Sequence, residues 1–419
     1  MSGIRTSAQA LVVAASALAV GAVAAQAGGL SVHEQSTSAQ GSSWAGAAAG
    51  YDLSSSFWNP AAFGIAGQGF TTESHAALLI PDASLTGVAS AGPQLNNSTD
   101  IGHIALIPAS YAAYRINKDL VLGLSVNSPF GLATKPDDVF WAGRAVGQSS
   151  KLFTANATPT LSYQIAPGLH IGAGVQLEYA KLTYKFAASQ AAGTLSPTAI
   201  AEIDDDLGIG FTAGVLWQPS KSTSIGLGFR SSITHDLDGT IGAAGVLPSR
   251  HISAEFKTPE TVTLSIRQAI APKTRVLGTI EWTNWSRFGV IPIEGSLGLG
   301  PGFGLASLKG NWHDGWLYSV GLEYDVSKVL TVRTGVAFEK SPIQNATERL
   351  IQVPDSDRWW VSGGATYKYS EKLSFDFAYT HVFFDDAPFQ RQNLSETVTL
   401  TGNADQSADI ISFSMKTKW

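Results

Sequence analysis

The residues able to carry acid–base or nucleophilic chemistry are few and scattered. The chain contains no cysteine, which excludes a disulfide scaffold, a cysteine nucleophile and a thiolate metal site. Of the eight histidines, which are scattered along the chain, His381 near Asp385 and Asp386 forms the only grouping that suggests a catalytic site. A Ser–His or Asp–His hydrolase needs such groups in contact, and the sequence alone pairs no strand with His381. An enzyme is therefore the minor hypothesis, and we predict no cofactor and no metal site.

One predicted strand carries two lysines opposite an apolar face. Leu182, Tyr184 and Phe186 share one face of this strand, and Lys181 and Lys185 lie on the other. Upstream the apolar face has the opposite parity, at Leu169, Ile171, Val175, Leu177 and Tyr179. This change of parity predicts either a β-bulge or an apolar patch on the face that is otherwise polar.

The composition limits the kind of fold that can position these groups. Charged residues make up 14 % of the 419 residues, against roughly 25 % in soluble proteins, yet there are 43 Gly, 19 Phe, 11 Tyr and 11 Trp. The mean hydropathy is only +0.08. These values fit neither an ordinary cytosolic enzyme nor a helical membrane protein. The net charge of −6 gives no support for nucleic-acid binding.

The first 27 residues have the pattern of a secretory signal peptide. Arg5 supplies the positive charge, residues 10–25 are apolar, and Ala25-Gln26-Ala27 is a small-x-small cleavage site. We expect removal of residues 1–27 and a mature start at Gly28; the alternative is a membrane anchor. No later stretch has about 18 consecutive apolar residues. The remaining classes are a soluble secreted β protein and an outer-membrane β-barrel.

The last strand decides between these two classes. Ile411, Phe413, Met415 and Trp419 alternate with serines and lysines, as expected of a strand with one face to lipid and one to the lumen. The same alternation recurs after Leu120, after Thr261 and after Leu330. Arg267 and Arg333 fall on the polar faces, where a wet lumen would accept them.

Turn signals give the number of strands. Six short polar turns are predicted at 117–119, 166–168, 219–222, 271–273, 326–328 and 370–372. Seven longer loops lie near 81–103, 129–150, 187–207, 239–253, 288–313, 340–356 and 386–405. Six turns on one side and seven loops on the other predict an all-β fold, a 14-stranded antiparallel transmembrane barrel spanning residues 70–419.

The segment 28–69 does not show strand alternation. It is rich in Gly, Ala and Ser, contains Trp44, Trp58 and Phe63, and carries only Glu34 and Asp52 as formal charges. A flexible tail is one interpretation, but disordered tails avoid aromatic residues. We predict a compact plug, or hatch, inside the barrel.

Several motifs make the resemblance specific. Asn59-Pro60-Ala61 resembles the motif that closes the hatch in the FadL family of outer-membrane transporters for long-chain fatty acids and hydrocarbons. Four further stretches match that family in order along the mature chain: Phe130-Gly131-Leu132-Ala133-Thr134, Trp282-Thr283-Asn284-Trp285-Ser286, Arg333 to Phe338 with Ser341-Pro342, and Pro354 to Trp360.

The resemblance implies passive transport through the Gram-negative outer membrane. Outer loops 187–207 and 239–253 would capture a hydrophobic molecule, and an apolar lumen pocket would bind it. A kink in strand three at Pro129-Phe130-Gly131 would release it sideways into lipid; otherwise Pro129 simply begins a loop. A route through a water-filled pore would expose the hydrophobic molecule to water, at a cost of roughly 0.8 kcal/mol for each exposed CH₂ group.

The resemblance also assigns pocket residues. Leu30 would touch the ligand, together with Leu182, Tyr184 and Phe186. Lys185 takes the place of a family arginine near the carboxylate, keeping the charge without the bidentate geometry. Lys309 is a second candidate cation, although both lysines are equally consistent with solvated surface positions.

Other partners and functions follow with less support from the residues. The acidic run Asp204-Asp205-Asp206 would suit calcium or a lipopolysaccharide cation, but a solvated loop is the simpler interpretation. We expect outer-membrane lipid, lipopolysaccharide and the barrel-assembly machinery as partners of a monomer. The main alternative cargo is an aromatic or other hydrocarbon. A general porin is disfavoured by the 42-residue insert, and an outer-membrane lipase-type enzyme is a minor alternative.

Overall fold

The computed structural model describes residues 28–91, 95–187, 197–205, 207–245, 247–288, 290–294, 307–309, 311–393 and 398–419. The predicted signal peptide, residues 1–27, therefore lies outside the described residues. No helix within these ranges is both long enough and apolar enough to cross a membrane.

Fourteen antiparallel strands form one closed barrel, as predicted. The ring closes because the first strand pairs with both the second and the last. The barrel strands are β1 (Gly69–Ala89), β2 (Ala105–Arg115), β3 (Leu120–Asn127), β4 (Ser149–Ala166), β5 (Leu169–Ala187), β6 (Gly208–Ser220), β7 (Thr223–Arg230), β8 (Thr261–Ala271), β9 (Thr274–Thr283), β10 (Gly315–Asp325), β11 (Leu330–Lys340), β12 (Arg358–Lys368), β13 (Leu373–Phe384) and β14 (Thr399–Lys418).

The barrel strands alternate between an exposed apolar face and a buried face. In β14 the side chains of Ile411, Phe413 and Met415 are exposed, and those of Ser412 and Ser414 are buried. Exposed Leu, Ile, Val, Trp, Tyr and Phe side chains recur on the other strands. This outer belt is the lipid-facing surface of a transmembrane barrel.

All six predicted short turns join consecutive barrel strands. Two of the seven loops, 81–103 and 386–405, are shorter than predicted. β1 continues to Ala89 and β14 begins at Thr399, and these two ends pair with each other. Strands can extend beyond the membrane into water, so polar and glycine-rich sequence does not mark their end. The loops also contain short strands: Ser98–Asp100, Gly131–Thr134, Thr198–Asp204, Thr234–Ala243, Leu247–Lys257, Val290–Glu294, Ser307–Lys309 and Ala387–Gln392.

Residues 28–68, which we call the N-terminal segment, precede β1 and pack against the buried faces of the barrel strands. The segment contains α1 (Thr37–Gln40) and three 3-10 helices, Ala47–Ala49, Leu53–Phe57 and Pro60–Ile65. Barrel glycines make room for its backbone. A Cβ atom at Gly226 would lie 1.8 Å from the Ala48 carbonyl oxygen, and one at Gly228 would lie 1.7 Å from that of Trp58.

The arginines on the lumen faces of the barrel strands form ion pairs. Arg267 donates to Glu323 at 2.6 Å, and Arg333 lies 3.4 Å from Glu323 and 3.5 Å from Asp376. Glu323 also accepts from Arg275. Arg333 is therefore compensated by carboxylates in a buried position beside the N-terminal segment, whereas the side chain of Arg267 remains partly exposed.

Candidate functional site

An apolar cavity lies among β4, β5 and the loops beyond them. None of the described residues around it carries a charge. Its polar groups are the side chains of Ser150, Tyr184 and Gln352. The lining residues are Leu30, Leu132, Ser150, Leu152, Leu182, Tyr184, Leu237, Phe256, Phe288, Leu350, Gln352 and Val353.

Strand β5 contributes the apolar patch that its sequence indicated. The β4–β5 pairing keeps one register from Lys185 with Ser149 to His170 with Gln164, so the change of apolar parity is not a bulge. Instead Leu182 and Tyr184 line the cavity on the buried face, and the ring of Phe186 stacks on that of Tyr184 at 5.4 Å. The otherwise polar lumen face becomes apolar at this height.

Of the two predicted cations, Lys185 is not among the described residues that line this cavity. Lys185 lies on the opposite face of β5 from Tyr184, as strand alternation requires. The backbone of Lys309 pairs with that of Val290, but its side chain lies outside what the structure describes. The tyrosine hydroxyl is instead hydrogen-bonded by the side-chain amide of Gln352, at 2.9 Å.

Leu30 reaches the cavity because the N-terminal segment pairs with the interrupted strand. The Val32 N–H donates to the Pro129 carbonyl at 2.8 Å, and the Gly131 N–H donates to the Leu30 carbonyl at 2.9 Å. Ser31 and Phe130 form the bridge between these bonds. This pairing fixes Leu30 in the cavity wall, where Leu132 of the resumed strand also lies.

The chain breaks its ladder at Pro129, where the kink was predicted. β3 ends at Asn127 and the strand resumes at Gly131–Thr134. The β2–β3 pairing stops at Ser110 and Val126, whereas β2 stays paired with β1 as far as Ala105. Proline has no N–H to donate, so it cannot extend the ladder.

The unpaired edge of β2, Ala105–Ala109, forms one side of an interruption in the wall that we call the window. Its length along the strand is about 17 Å, at 3.4 Å per residue. On the far side the chain crosses back: His103 Nε2 lies 3.0 Å from the Lys135 carbonyl, and the Asp137 N–H donates to the Asp100 carbonyl. The window is thus bounded at both ends.

A second cavity, of about 400 Å³, borders this region. Ala133 lines it, together with Leu79, Ala83 and residues 101–103. Leu132, the preceding residue, lines the first cavity. Because successive side chains of a strand point to opposite faces, the short strand Gly131–Thr134 separates the two cavities.

Aromatic rings support the interrupted strand from the other side. The ring of Phe130 meets that of Trp285 edge to face at 6.0 Å, and Trp285 meets Trp312 at 5.3 Å. Gly29 has a φ of +65°, and a Cβ atom there would lie 3.0 Å from both tryptophans. A glycine is needed at this close approach.

The Asn59-Pro60-Ala61 motif caps the last 3-10 helix of the N-terminal segment. The Asn59 Oδ1 accepts from the Ala61 N–H at 3.1 Å. The Asn59 Nδ2 donates to the carbonyls of Ala48 and of Val215 on β6, both at 2.9 Å. A single side chain thus joins two turns of the segment to the barrel wall.

Two ionisable residues of the N-terminal segment are buried beside acidic groups of the barrel. Burial lowers the pKa of His33, but its 2.9 Å hydrogen bond to Glu281 and the charge of Glu339 raise it to about 9. Burial raises the pKa of Glu34 to about 7, against a smaller lowering by His33. Both Glu34 carboxylate oxygens are buried without a hydrogen-bond partner among the described residues.

The other chemistry-bearing groups are dispersed. His381 Nδ1 lies 2.7 Å from Asp409, not beside Asp385 or Asp386. Asp205 contacts His235 at 2.8 Å, Asp204 lies 4.0 Å from Lys181, and Asp206 lies outside the described residues. Among the residues that the structure describes, no group of three or more His, Asp or Glu side chains is arranged to hold a metal ion.

The predicted capture loops are partly sheet. Ile241 and Ala243 belong to the strand Thr234–Ala243 and are buried against the cluster that surrounds the first cavity. Ile200 is exposed on the partner strand Thr198–Asp204. Val246 and Leu195 lie outside the described residues, and nothing is described of the side chain of Leu247.

Sequence reasoning missed the cavity residues that come from loops. Leu350, Gln352 and Val353 lie just before the Pro354 to Trp360 motif, and nothing in their pattern marks them as ligand-facing. Leu132 could have been found, since it follows the predicted kink directly. Trp285 was quoted for the resemblance but not for its place beside Phe130.

A closed 14-stranded barrel with an apolar belt, a buried N-terminal segment and an apolar lumen cavity is an outer-membrane transport barrel. The chain belongs to the family described as outer membrane protein transport protein (OMPP1/FadL/TodX), whose model matches residues 18–419. This family is one of transport proteins of the Gram-negative outer membrane.

Relatives and solved structures agree with this assignment. The chain is 28 % identical to a long-chain fatty acid transport protein of Escherichia coli O6:H1, over 73 % of this chain and 76 % of that protein. It is 27 % identical to a 47 kDa outer membrane protein of Pasteurella multocida, over 93 % and 95 %. A Pseudomonas aeruginosa FadL homologue superposes with a TM-score of 0.82 at 22 % identity, covering 93 % of this chain and 99 % of that one. The Ralstonia pickettii toluene transporter TbuX gives 0.64 at 17 % identity, covering 91 % and 97 %.

Proposed function

We propose that this protein binds hydrophobic molecules in the cavity around Leu182 and Tyr184 and releases them sideways through the window into the outer membrane. The observation that carries the proposal is the position of the short strand Gly131–Thr134. It walls the first cavity through Leu132, walls the second through Ala133, and follows the point where β2 loses its partner.

The N-terminal segment acts in this proposal as the plug. Residues 28–68 fill the lumen below the cavity and are anchored through Asn59 to β6. A molecule in the cavity is thereby kept from the periplasmic side and directed to the wall. The proposal includes removal of residues 1–27 before the barrel is assembled, with residues 28–69 as the hatch and 70–419 as the barrel.

The leading cargo is a long-chain fatty acid, as the name of the Escherichia coli relative indicates for that protein. One observation favours a second candidate, a neutral hydrocarbon: the described lining residues supply hydroxyl and amide groups but no cation, and the charge of Arg391 acts on Tyr184 only from outside that lining. Lys185 faces away from Tyr184, and a carboxylate therefore finds no charge partner among these residues.

A binding competition separates the two cargoes. The probe is a fluorescent fatty acid bound to the refolded protein, displaced by palmitate, by methyl palmitate or by hexadecane. A site selective for acids prefers palmitate by about tenfold or more, the effect of one charge-assisted contact. Equal displacement by the three competitors supports the neutral cargo, and displacement by none of them contradicts binding in this cavity.

The location of the binding site is tested by a matched pair of substitutions. Leu182→Trp places a bulky ring in the cavity, whereas Leu161→Trp places the same ring on the exposed outer belt. We expect probe binding to weaken at least about fivefold in the first variant, since overfilling a packed site costs about 1–3 kcal/mol and 1.4 kcal/mol is a factor of about ten. The second variant should bind as the wild type does; equal binding by both variants would place the site elsewhere.

Several finer assignments belong to the same proposal. The protein acts as a transporter without enzymatic activity, as a monomer, in contact with lipid and lipopolysaccharide after insertion by the barrel-assembly machinery. The extracellular strands around Ile241 form part of the capture surface. An esterase assay on the wild type and on His381→Ala tests the absence of enzymatic activity, because equal low rates are expected from both.

A further inference from the structure

A group of buried carboxylates receives the start of the N-terminal segment. The Gly28 nitrogen donates to Glu339 Oε1 at 2.9 Å, and the Gly29 nitrogen donates to Asp355 Oδ2 at 3.2 Å. Gly28, Glu339 and Asp355 are all buried. Space at Gly28 is closed, since a Cβ atom there would lie 2.1 Å from the same Glu339 oxygen.

The charges in this group do not balance. Arg358, fully buried, contacts both Glu339 and Asp355 and is one cation shared by two carboxylates. The neighbouring Arg349 donates to backbone carbonyls, those of Asp355 and Ile343. His33 pairs with Glu281 and also interacts with the charge of Glu339, so that two cations, Arg358 and His33, face the three carboxylates of Glu281, Glu339 and Asp355. A buried carboxylate without a cation costs several kcal/mol.

Hydrolysis of the Ala27–Gly28 peptide bond would supply the missing cation. Water adds across the bond, a signal peptidase being the catalyst, so that Ala27 leaves with a carboxylate and Gly28 gains an amine that takes up a proton. The nitrogen that carries the new charge is the one already 2.9 Å from Glu339.

We propose that the α-ammonium of Gly28, created by removal of residues 1–27, is the third cation of this buried group and fastens the N-terminal segment to Glu339. The inference rests on the cleavage included in the proposed function. Its consequence for the cavity is direct, because Leu30, two residues on, forms part of the lining. Processing therefore sets the charge that holds the cavity wall in position.

The first test measures the amine itself. Protein purified from outer membranes is analysed by intact mass, and its α-amine is then treated with a 2-pyridinecarboxaldehyde, which reacts selectively with N-terminal amines. We expect a mass beginning at Gly28, and modification at least about tenfold slower in the folded protein than after boiling in detergent, the effect of one charge-assisted hydrogen bond. A different first residue, or equal rates, overturns the proposal.

The second test moves the charge without changing any contacting residue. Two serines inserted between Ala27 and Gly28 keep the cleavage site but place the amine two residues away from Glu339. We expect the amine to react about as fast as in boiled protein, and the segment 28–68 to be cleaved at least about tenfold faster by added protease than in the wild type. Protease resistance equal to that of the wild type overturns the fastening role.

Glu339→Gln is the complementary variant, with Glu371→Gln in an exposed turn as its control. The glutamine keeps a hydrogen-bond acceptor but removes the charge, so amine protection should fall while the barrel still shows heat-modifiable migration. None of these readouts uses cargo. Failure of the transport proposal therefore leaves them interpretable, and failure of these tests leaves the cargo-binding results intact.

Discussion

Replacement of Asn59 by alanine should release the N-terminal segment without unfolding the barrel. The side chain makes three hydrogen bonds, two donated to carbonyls and one accepted from the Ala61 N–H, and it is fully buried. At about 1 kcal/mol for each bond, the variant loses about 3 kcal/mol of the free energy that favours the seated segment. Every 1.4 kcal/mol is a factor of ten, so the displaced population should rise about a hundredfold.

Single-channel recording in planar bilayers measures this population as the fraction of time spent at high conductance. Limited proteolysis of residues 28–68 gives an independent measure from the same preparation. Asn403→Ala, at an exposed position of β14, is the matched control and should behave as the wild type. If Asn59→Ala changes the open fraction by less than about threefold, the segment is held by its apolar packing and the hydrogen-bond reasoning is refuted.

Three further predictions address the window, the lumen and the charged residues of the segment. Replacing residues 129–131 by Val-Thr-Val should let this strand pair with β2 and close the window. Uptake of a hydrophobic probe should then fall at least about tenfold, while its binding stays within about threefold of the wild type. Wild-type uptake in a variant whose strand is shown to be paired would exclude the lateral route. Gly228→Leu should raise conductance, because its side chain meets the Trp58 carbonyl, and unchanged conductance would show that the segment yields there. Rising pH should loosen the segment. The folded state holds the Glu34 proton more tightly than the unfolded state, so stability falls as the pH rises from about 4.5 to 7. The stability that protonated His33 contributes is likewise lost as the pH rises from about 6.5 to 9. Proteolysis at a series of pH values from about 4.5 to 9 measures this. Glu34→Gln should flatten the curve below about pH 7, and a pH-independent rate in the wild type would contradict the prediction.

The strand count and the turns were predictable from the sequence because lipid imposes a strict alternation on every strand. The alternation at Ile411, Phe413 and Met415 is the direct result of one face meeting hydrocarbon and the other the lumen. No such constraint acts outside the membrane. The extension of β1 to Ala89 and the hairpin that contains Ile241 were therefore read as loops, although both are paired.

The cavity was predictable only where it interrupts a regular pattern. The parity change at Leu182 and Tyr184 gave one wall, and the interruption at Pro129 and Gly131 directly precedes Leu132, which lines another. Gln352 comes from an irregular loop between β11 and β12, where neither period nor turn chemistry constrains the side chain. Long-range packing decides which side chains contact Tyr184, and a sequence pattern does not show which distant residues lie close together in the fold.

Closure of the barrel requires its first and last strands to pair. β1 and β14 pair over nineteen positions, from Thr71 with Lys418 to Ala89 with Leu400, so the seam needs the last residues to be synthesised. The N-terminal segment is made first, yet its partners include Gly226 and Glu339 far along the chain. Until those strands have been made, the segment lacks these contacts. The order of synthesis thus opposes the order of packing, and contacts so distant in sequence slow folding, because the entropy of closing the chain is lost before they form.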